Sequence, residues 1–233
     1  MKLSVIVSLF AIGLNAQTFN QFDESGKRDG VWRKYFEGTK VLRYEGAFKN
    51  GKEIGLFKFY KNIKGKPVLT ATRQFNDSTD IAEVVFYASN GKVISEGKMK
   101  GKTYVGTWKY YQKASKALLT LETYNDQGKL NGERFVYFDN GQIAEKTFYK
   151  DGQLQGKAEY YSLKGTLLKS FLYLDNQLHG EAKFYNPKGE LIVSGKYNTG
   201  KKDSIWSYYN TGKLDSTVNF STVKKYVPIK KAP

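Results

Sequence analysis

The 233-residue chain has no cysteine, one histidine, two methionines and four prolines. Without cysteine there is no disulfide framework, no thiolate metal site and no lipidated cysteine. A lone histidine, His179, has no partner for a metal site or a catalytic triad, and its place beside Gly180 reads as a turn. Acidic residues are few beside basic ones, 22 against 38, which leaves a net charge of +16. That balance speaks to solubility and to attraction for anionic surfaces, not to fold. No stretch holds a helical period between its breakers. No phosphate-cradling loop or calcium-loop spacing occurs, and no Asp/Glu pair stands apart from the repeat described below. Catalytic, metal and cofactor-binding residues are therefore expected to be none, and no cofactor is implied.

Aromatic residues are abundant, at 15%, and tyrosine leads them with 18 copies. Tyrosine is amphipathic and suits thin, half-buried sheets. The N-terminus begins Met1-Lys2 and runs apolar from Leu3 to Leu14, with Asn15-Ala16-Gln17 after it. This is the order of a secretory signal, too short to span a bilayer. Residues 1–16 are read as a signal peptide, and the protein as exported to the periplasm, envelope or exterior, with no transmembrane span in the mature chain.

A repeat governs the rest. Gly30-Val-Trp32-Arg-Lys-Tyr35 returns as Gly55-Leu-Phe57-Lys-Phe59-Tyr60, as Gly106-Thr-Trp108-Lys-Tyr110-Tyr111, and as Gly180-Glu-Ala-Lys-Phe184-Tyr185. Starts fall near residues 30, 55, 82, 106, 132, 156, 180 and 204, and the fifth residue after each is tyrosine: Tyr35, Tyr60, Tyr87, Tyr111, Tyr137, Tyr161, Tyr185 and Tyr209. Each aromatic run is followed by a turn such as Asn90-Gly91 or Asn140-Gly141. A shorter run and a second turn, such as Asn50-Gly51 or Asp151-Gly152, close the unit. Asn-Gly and Asp-Gly between β-rich runs signal hairpins, because both central residues of a type I′ turn need positive φ. The array covers residues 17–220, and residues 221–233 form a basic tail. Lys61 to Asp80, with Pro67, and Gln112 to Lys116 break the pattern and are expected to be longer loops or bulges.

The stretch Phe138-Asp-Asn-Gly-Gln-Ile-Ala-Glu-Lys-Thr-Phe-Tyr-Lys-Asp-Gly-Gln-Leu-Gln-Gly156 resembles the bacterial variant of the MORN repeat. The resemblance extends over most of residues 22–220. It implies an all-β fold, an elongated open antiparallel sheet of about eight tandem hairpins. It also implies a binding role of the antitoxin kind without catalytic residues, and, from eukaryotic MORN proteins, a link to anionic lipids.

The repeated tyrosines are expected to form the ladder at the core, together with large residues of the second runs such as Phe48, Met99, Tyr149 and Tyr197. Trp32, Trp108 and Trp206 are candidates for an exposed contact strip. Eleven of the 23 glycines are followed directly by lysine, which would place lysines such as Lys52, Lys102 and Lys201 in rows along the sheet's long edges as candidate contacts. Glu45, Glu96, Glu122 and Glu145 are expected at similar places as cross-strand partners of lysine. A protein partner is the first expectation and an anionic lipid or polysaccharide the alternative. A nucleic-acid partner is disfavoured, since no binding motif appears.

Overall fold

The computed structural model describes residues 18–76 and 78–221. The expected signal peptide and all but the first residue of the basic tail lie outside the described residues. Within them the chain forms seventeen strands and no helix. β1 (Gln21–Phe22) comes first. Four strand pairs follow: β2 (Arg28–Tyr35) and β3 (Leu42–Lys49), β4 (Lys52–Ile63) and β5 (Lys66–Phe75), β6 (Ile81–Tyr87) and β7 (Val93–Lys100), β8 (Thr103–Tyr111) and β9 (Leu118–Tyr124). Four more complete the array: β10 (Gly132–Tyr137) and β11 (Ile143–Lys150), β12 (Gln153–Tyr161) and β13 (Leu167–Leu174), β14 (Gln177–Tyr185) and β15 (Leu191–Asn198), β16 (Lys201–Asn210) and β17 (Lys213–Asn219). Every strand pairs antiparallel with its neighbours in the chain, from β1–β2 through β9–β10 to β16–β17. The result is one open meander of about 75 Å at normal strand spacing. Its eight hairpins after β1 are the eight units read from the sequence.

Two kinds of turn alternate along the two long edges. Most turns between units are tight, and the longer ones link β5 to β6 and β9 to β10. Asn50-Gly51, Asp151-Gly152 and Thr199-Gly200 hold φ at 51° and 81°, 51° and 86°, and 46° and 80°, the all-positive φ of a type I′ hairpin. Most turns within units are longer and carry a side-chain clasp. Asn90, Asn140 and Asn186 accept backbone N–H bonds on Oδ1 from Lys92, Gln142 and Lys188, which is what asparagine does in turns. One expected irregularity is mostly a regular element instead. Of Lys61 to Asp80, the stretch Lys61 to Phe75 is the ends of two long strands joined at Lys64-Gly65, with Pro67 opposite Asn62 in their ladder, while the expected loop is confined to the link between β5 and β6, where Asn76 accepts N–H bonds from Ser78 and Thr79. The loop expected at Gln112 to Lys116 is present between β8 and β9.

All eight repeat tyrosines occupy one kind of place. In each unit the register shifts at the tyrosine, from Lys34/Tyr35 in β2 to Tyr208/Tyr209 in β16. A β-bulge re-aims the side chain that follows it, so each tyrosine belongs to the strand end just before the turn within its unit. The unit-starting glycines serve a second bulge. Between Glu96 and Lys98, β7 has one residue, Gly97, while β8 has three, Gly106 to Trp108. Gly106 takes φ 64°, and Ser204, which replaces glycine in the last unit, takes φ 58°.

The ladders place the core elsewhere than the tyrosines. The expectation that Tyr35 to Tyr209 form the core does not hold. None of them is buried, and Tyr35 is 44% exposed. The side chains under 2% exposed include Trp108, Trp206, Phe57 and Val84, all at the third position of their units. Trp108 stacks on Tyr104 at 4.0 Å between centroids and donates its indole N–H to Lys98 O at 2.9 Å.

Candidate binding surface

Side chains alternate between the two faces of a strand, and in this sheet the faces differ in chemistry. On the first, the third residue of each unit lies in one row across the sheet with residues of the second strands. Facing pairs along it include Trp32↔Gly46, Phe57↔Arg73, Arg73↔Val84, Val84↔Gly97, Trp108↔Glu122, Arg134↔Thr147, Ala158↔Phe171, Ala182↔Gly195 and Trp206↔Val218. Large residues neighbour small ones. A Cβ on Gly46, Gly97 or Gly195 would run into the ring of Phe57, Trp108 or Trp206. Where the ring is replaced by Ala158 or Ala182, the preceding strand carries Thr147 or Phe171 instead. The slot keeps its filling while the residues trade places.

The fifth residue of each unit forms a parallel row on this aromatic face. Its large members, Phe59, Phe86, Tyr110, Tyr160, Phe184 and Tyr208, recur on every second strand at steps of about 9.5 Å, broken only at β10, which carries Val136. Rings from the second strands join them. Phe22, Trp32, Phe48, Phe57 and Phe75 touch in sequence at 5.0, 5.9, 5.2 and 5.4 Å. These edge-to-face contacts are each worth about 0.5–1.5 kcal/mol beyond area burial. The contact strip expected from the tryptophans is corrected here. Trp108 and Trp206 are 0% and 1% exposed, because each ring lies flat over a glycine, so neither can touch a partner. Only Trp32 keeps partial exposure.

The opposite face carries a charged row, with exposed Leu56, Phe148, Leu172 and Ile205 beside it. A continuous row runs Arg33, Glu45, Lys58, Thr72, Val85, Glu96, Lys109 and on to Thr217. Glu45 pairs with Arg33 at 3.4 Å and Lys58 at 3.5 Å, and Glu96 pairs with Lys109 at 3.4 Å. The repeat tyrosines lean on this row. Tyr60 donates to Glu45 at 3.0 Å, Tyr111 to Glu96 at 2.7 Å and Tyr161 to Glu159 at 3.0 Å. Burial and then the carboxylate push all three hydroxyls up to about 12. The four glutamates expected at like places divide between the faces. Glu45 and Glu96 lie here, while Glu122 and Glu145 lie on the aromatic face and hold Arg134 at 3.0 and 2.9 Å.

Glu45 gives a pH dependence. Burial alone would raise its pKa, but the Tyr60 hydroxyl, Lys58 and Arg33 outweigh it and hold the group below its ordinary 4.5. A carboxyl depressed in the fold adds stability above its unfolded pKa and loses it as pH falls through the folded one. Glu45→Gln is therefore expected to lower the urea midpoint at pH 7 and to lower it less at pH 3. An equal loss at both would show that charge is not the cause.

The lysines expected along the long edges are there. Lys52, Lys102 and Lys201 are exposed beside turns between units, on one edge, and none forms an ion pair among the described residues. Lys27 and Lys129 flank Gly51 and Gly152 on that edge, whereas Lys92 lies on the other edge and reaches the Gln112 loop through Lys113 O. His179 is not in a turn but exposed within β14. Among the described residues no three His, Asp or Glu side chains gather as a metal set.

A groove of about 480 Å³ lies at the end of β2, β3 and β4, beside the turn from Phe36 to Val41. Its lining combines Arg28, Lys34 and Arg43 with aromatic rings, among them Trp32, Tyr44 and Phe59. Sequence reading missed it, because Arg43 belongs to no motif and Lys34, Tyr44 and Phe59 meet only through the Lys34↔Tyr44 and Tyr44↔Phe59 register.

With this geometry in hand, the repeat can be compared with known families. Residues 130–151, 144–162 and 178–199 match the MORN repeat variant. The first of these MORN repeat variant segments holds β10, its turn and β11, the second holds the joint of β11 and β12, and the third holds β14 and β15. No curated protein matches the chain. Among solved structures it is similar to a mutant of S. aureus TarM in complex with Fondaparinux, alpha-GlcNAc-glycerol and UDP. Identity is 11% over 63% of this chain and 21% of that one, with a TM-score of 0.22. The chain thus spans a small part of that protein, and the likeness carries no argument about function.

Proposed function

We propose that this chain is an exported, non-enzymatic repeat scaffold that binds a protein partner through its aromatic face, in an antitoxin- or immunity-like role. The observation that supports this reading is the aromatic face, whose row of half-buried rings keeps part of each ring in solvent. Among the described residues no helix and no second sheet exists to cover the row from Phe59 to Tyr208. Extended apolar surface left open on a repeat protein is the usual mark of a partner site. The carboxylates of the charged face are engaged by lysine, arginine and tyrosine, which supports a structural use for them. The test is capture from native envelope extract at low and high salt. The full chain is expected to recover one stoichiometric protein at both. Tyr44→Glu with Tyr208→Glu, on the aromatic face, should cut recovery at least tenfold, and Lys109→Glu, on the charged face, should not. Repeated captures without an enriched protein, or loss through Lys109→Glu alone, would refute the reading.

A second reading, attraction to anionic lipid or polysaccharide, is favoured by the unpaired lysines of one long edge. It requires binding that weakens steeply as salt shortens the reach of surface charge.

A further inference from the structure

From the groove at the start of the sheet we infer a discrete site for an anionic glycan, a chain of sugar rings bearing carboxylate or phosphate groups. The inference rests on the anionic-surface reading and narrows it from a whole edge to one groove. The first observation is a contrast in charge. On the charged face, Arg33 and Lys58 are neutralised by Glu45. On the aromatic face, Arg134 is neutralised by Glu122 and Glu145. Arg28, Lys34 and Arg43 line one groove, no acidic side chain lines it with them, and none of the three forms an ion pair among the described residues. Arg28 is held over the rings of Trp32 and Phe48 at 4.9 and 5.1 Å, while Lys34 and Arg43 are exposed, so an anion entering the groove meets positive charge without counter-charge. Arginine offers a planar fork that matches carboxylate and phosphate oxygens two at a time.

The second observation is the floor. Tyr44 and Phe59 lie side by side at 6.3 Å, and Trp32 is pinned by its indole N–H donating to Gln21 O at 3.0 Å. Fixed rings in a concave site give flat contact area at little entropic cost. A volume near 480 Å³ lies within the usual range for small-ligand sites of roughly 300–1,000 Å³. It suits one or two sugar units rather than the surface of a folded protein. The row continues past the groove through Phe86 and Tyr110 at steps of about 9.5 Å, so a chain of rings entering the groove meets further platforms at a regular interval. A sugar presents both an apolar ring face and an acidic group, and the groove presents the partner of each.

The experiment measures binding of the full chain to hexagalacturonate, which carries carboxylates, and to a phosphomannan oligomer, which carries phosphates. Hexaglutamate, neutral cellohexaose and phosphatidylserine vesicles serve as comparisons. Lys34→Glu with Arg43→Glu changes two exposed side chains and is expected to weaken one or both acidic glycans at least tenfold. Lys52→Glu with Lys102→Glu and Lys201→Glu on the long edge should weaken them less than threefold. If hexaglutamate binds as well as the glycans, the rings contribute nothing and the glycan assignment falls. If only the edge variant loses binding, the groove is wrong and the anionic-surface reading stands. If neither variant loses binding, or vesicles alone bind, both fail for glycans.

Discussion

Gly195→Phe and Trp206→Ala, each damaging alone, are expected to rescue one another. Trp206 is 1% exposed and packs on Tyr197 at 5.1 Å and Phe220 at 6.1 Å, with its N–H on Lys196 O. Removing the ring leaves a cavity, a change that costs about 3–5 kcal/mol in well-packed cores. Adding a ring at Gly195 fails for the opposite reason. Its Cβ alone would overlap the indole, and overpacking costs about 1–3 kcal/mol or more. The double variant recreates the pair already present one unit earlier, where Phe171 lies opposite Ala182 and the alanine is 0% exposed. Urea midpoints should show the double variant more stable than either single one, with a coupling of about 2 kcal/mol, inside the range for residues in contact. Additive losses would mean that each unit fills its slot in its own way and that the complementarity is accidental.

The second large effect concerns Arg134. It lies in the same row of the aromatic face, with its side chain 24% exposed between Glu122 at 14% and Glu145 at 28%. Burial disfavours its charge, but the two carboxylates more than compensate and raise its pKa. Tyr124 donates to the other oxygen of Glu122 at 2.6 Å. Arg134→Leu keeps the apolar stem and leaves two half-buried carboxylates near one another without a cation. Breaking a fully buried pair from one side costs about 3–5 kcal/mol, and the partial exposure here reduces that to about 2 kcal/mol. Urea midpoints at pH 7 should show that loss, and Arg134→Lys, which keeps a cation, should restore part of it. Equal losses for the two variants would show that charge is not the cause.

The sequence displays the hairpins openly and hides the core. Asn50-Gly51, Asp151-Gly152 and Thr199-Gly200 announce their turns because positive φ restricts the residues that can stand there. The eight tyrosines announce the period because a bulge and a carboxylate partner on the charged face accept one shape. Conspicuous recurrence makes the tyrosines look like the core, but the core position itself changes from unit to unit: Trp32, Phe57, Val84, Trp108, Arg134, Ala158, Ala182 and Trp206. It varies because the slot is shared with a neighbouring strand some dozen residues earlier, so identity is not preserved while joint volume is. The same sharing explains the error over Trp108 and Trp206. A tryptophan between polar residues looks like an exposed anchor until the glycine beneath it, Gly97 or Gly195, is seen to leave room for it. The groove was illegible for a related reason. Lys34, Tyr44 and Phe59 come from three strands and meet only through register.

Pairing confined to chain neighbours also determines how such a molecule comes apart. No strand is locked behind one that is distant in sequence, so closing each hairpin costs only the entropy of a short loop. Assembly can begin at any well-packed hairpin and spread outward. A pull on the two ends would not meet a single mechanical clamp. It would peel the sheet from its edges, one hairpin of about 25 residues at a time. The largest steps in resisting force should come where Trp108 and Trp206 bind neighbouring units together, making the molecule a graded tether rather than a latch.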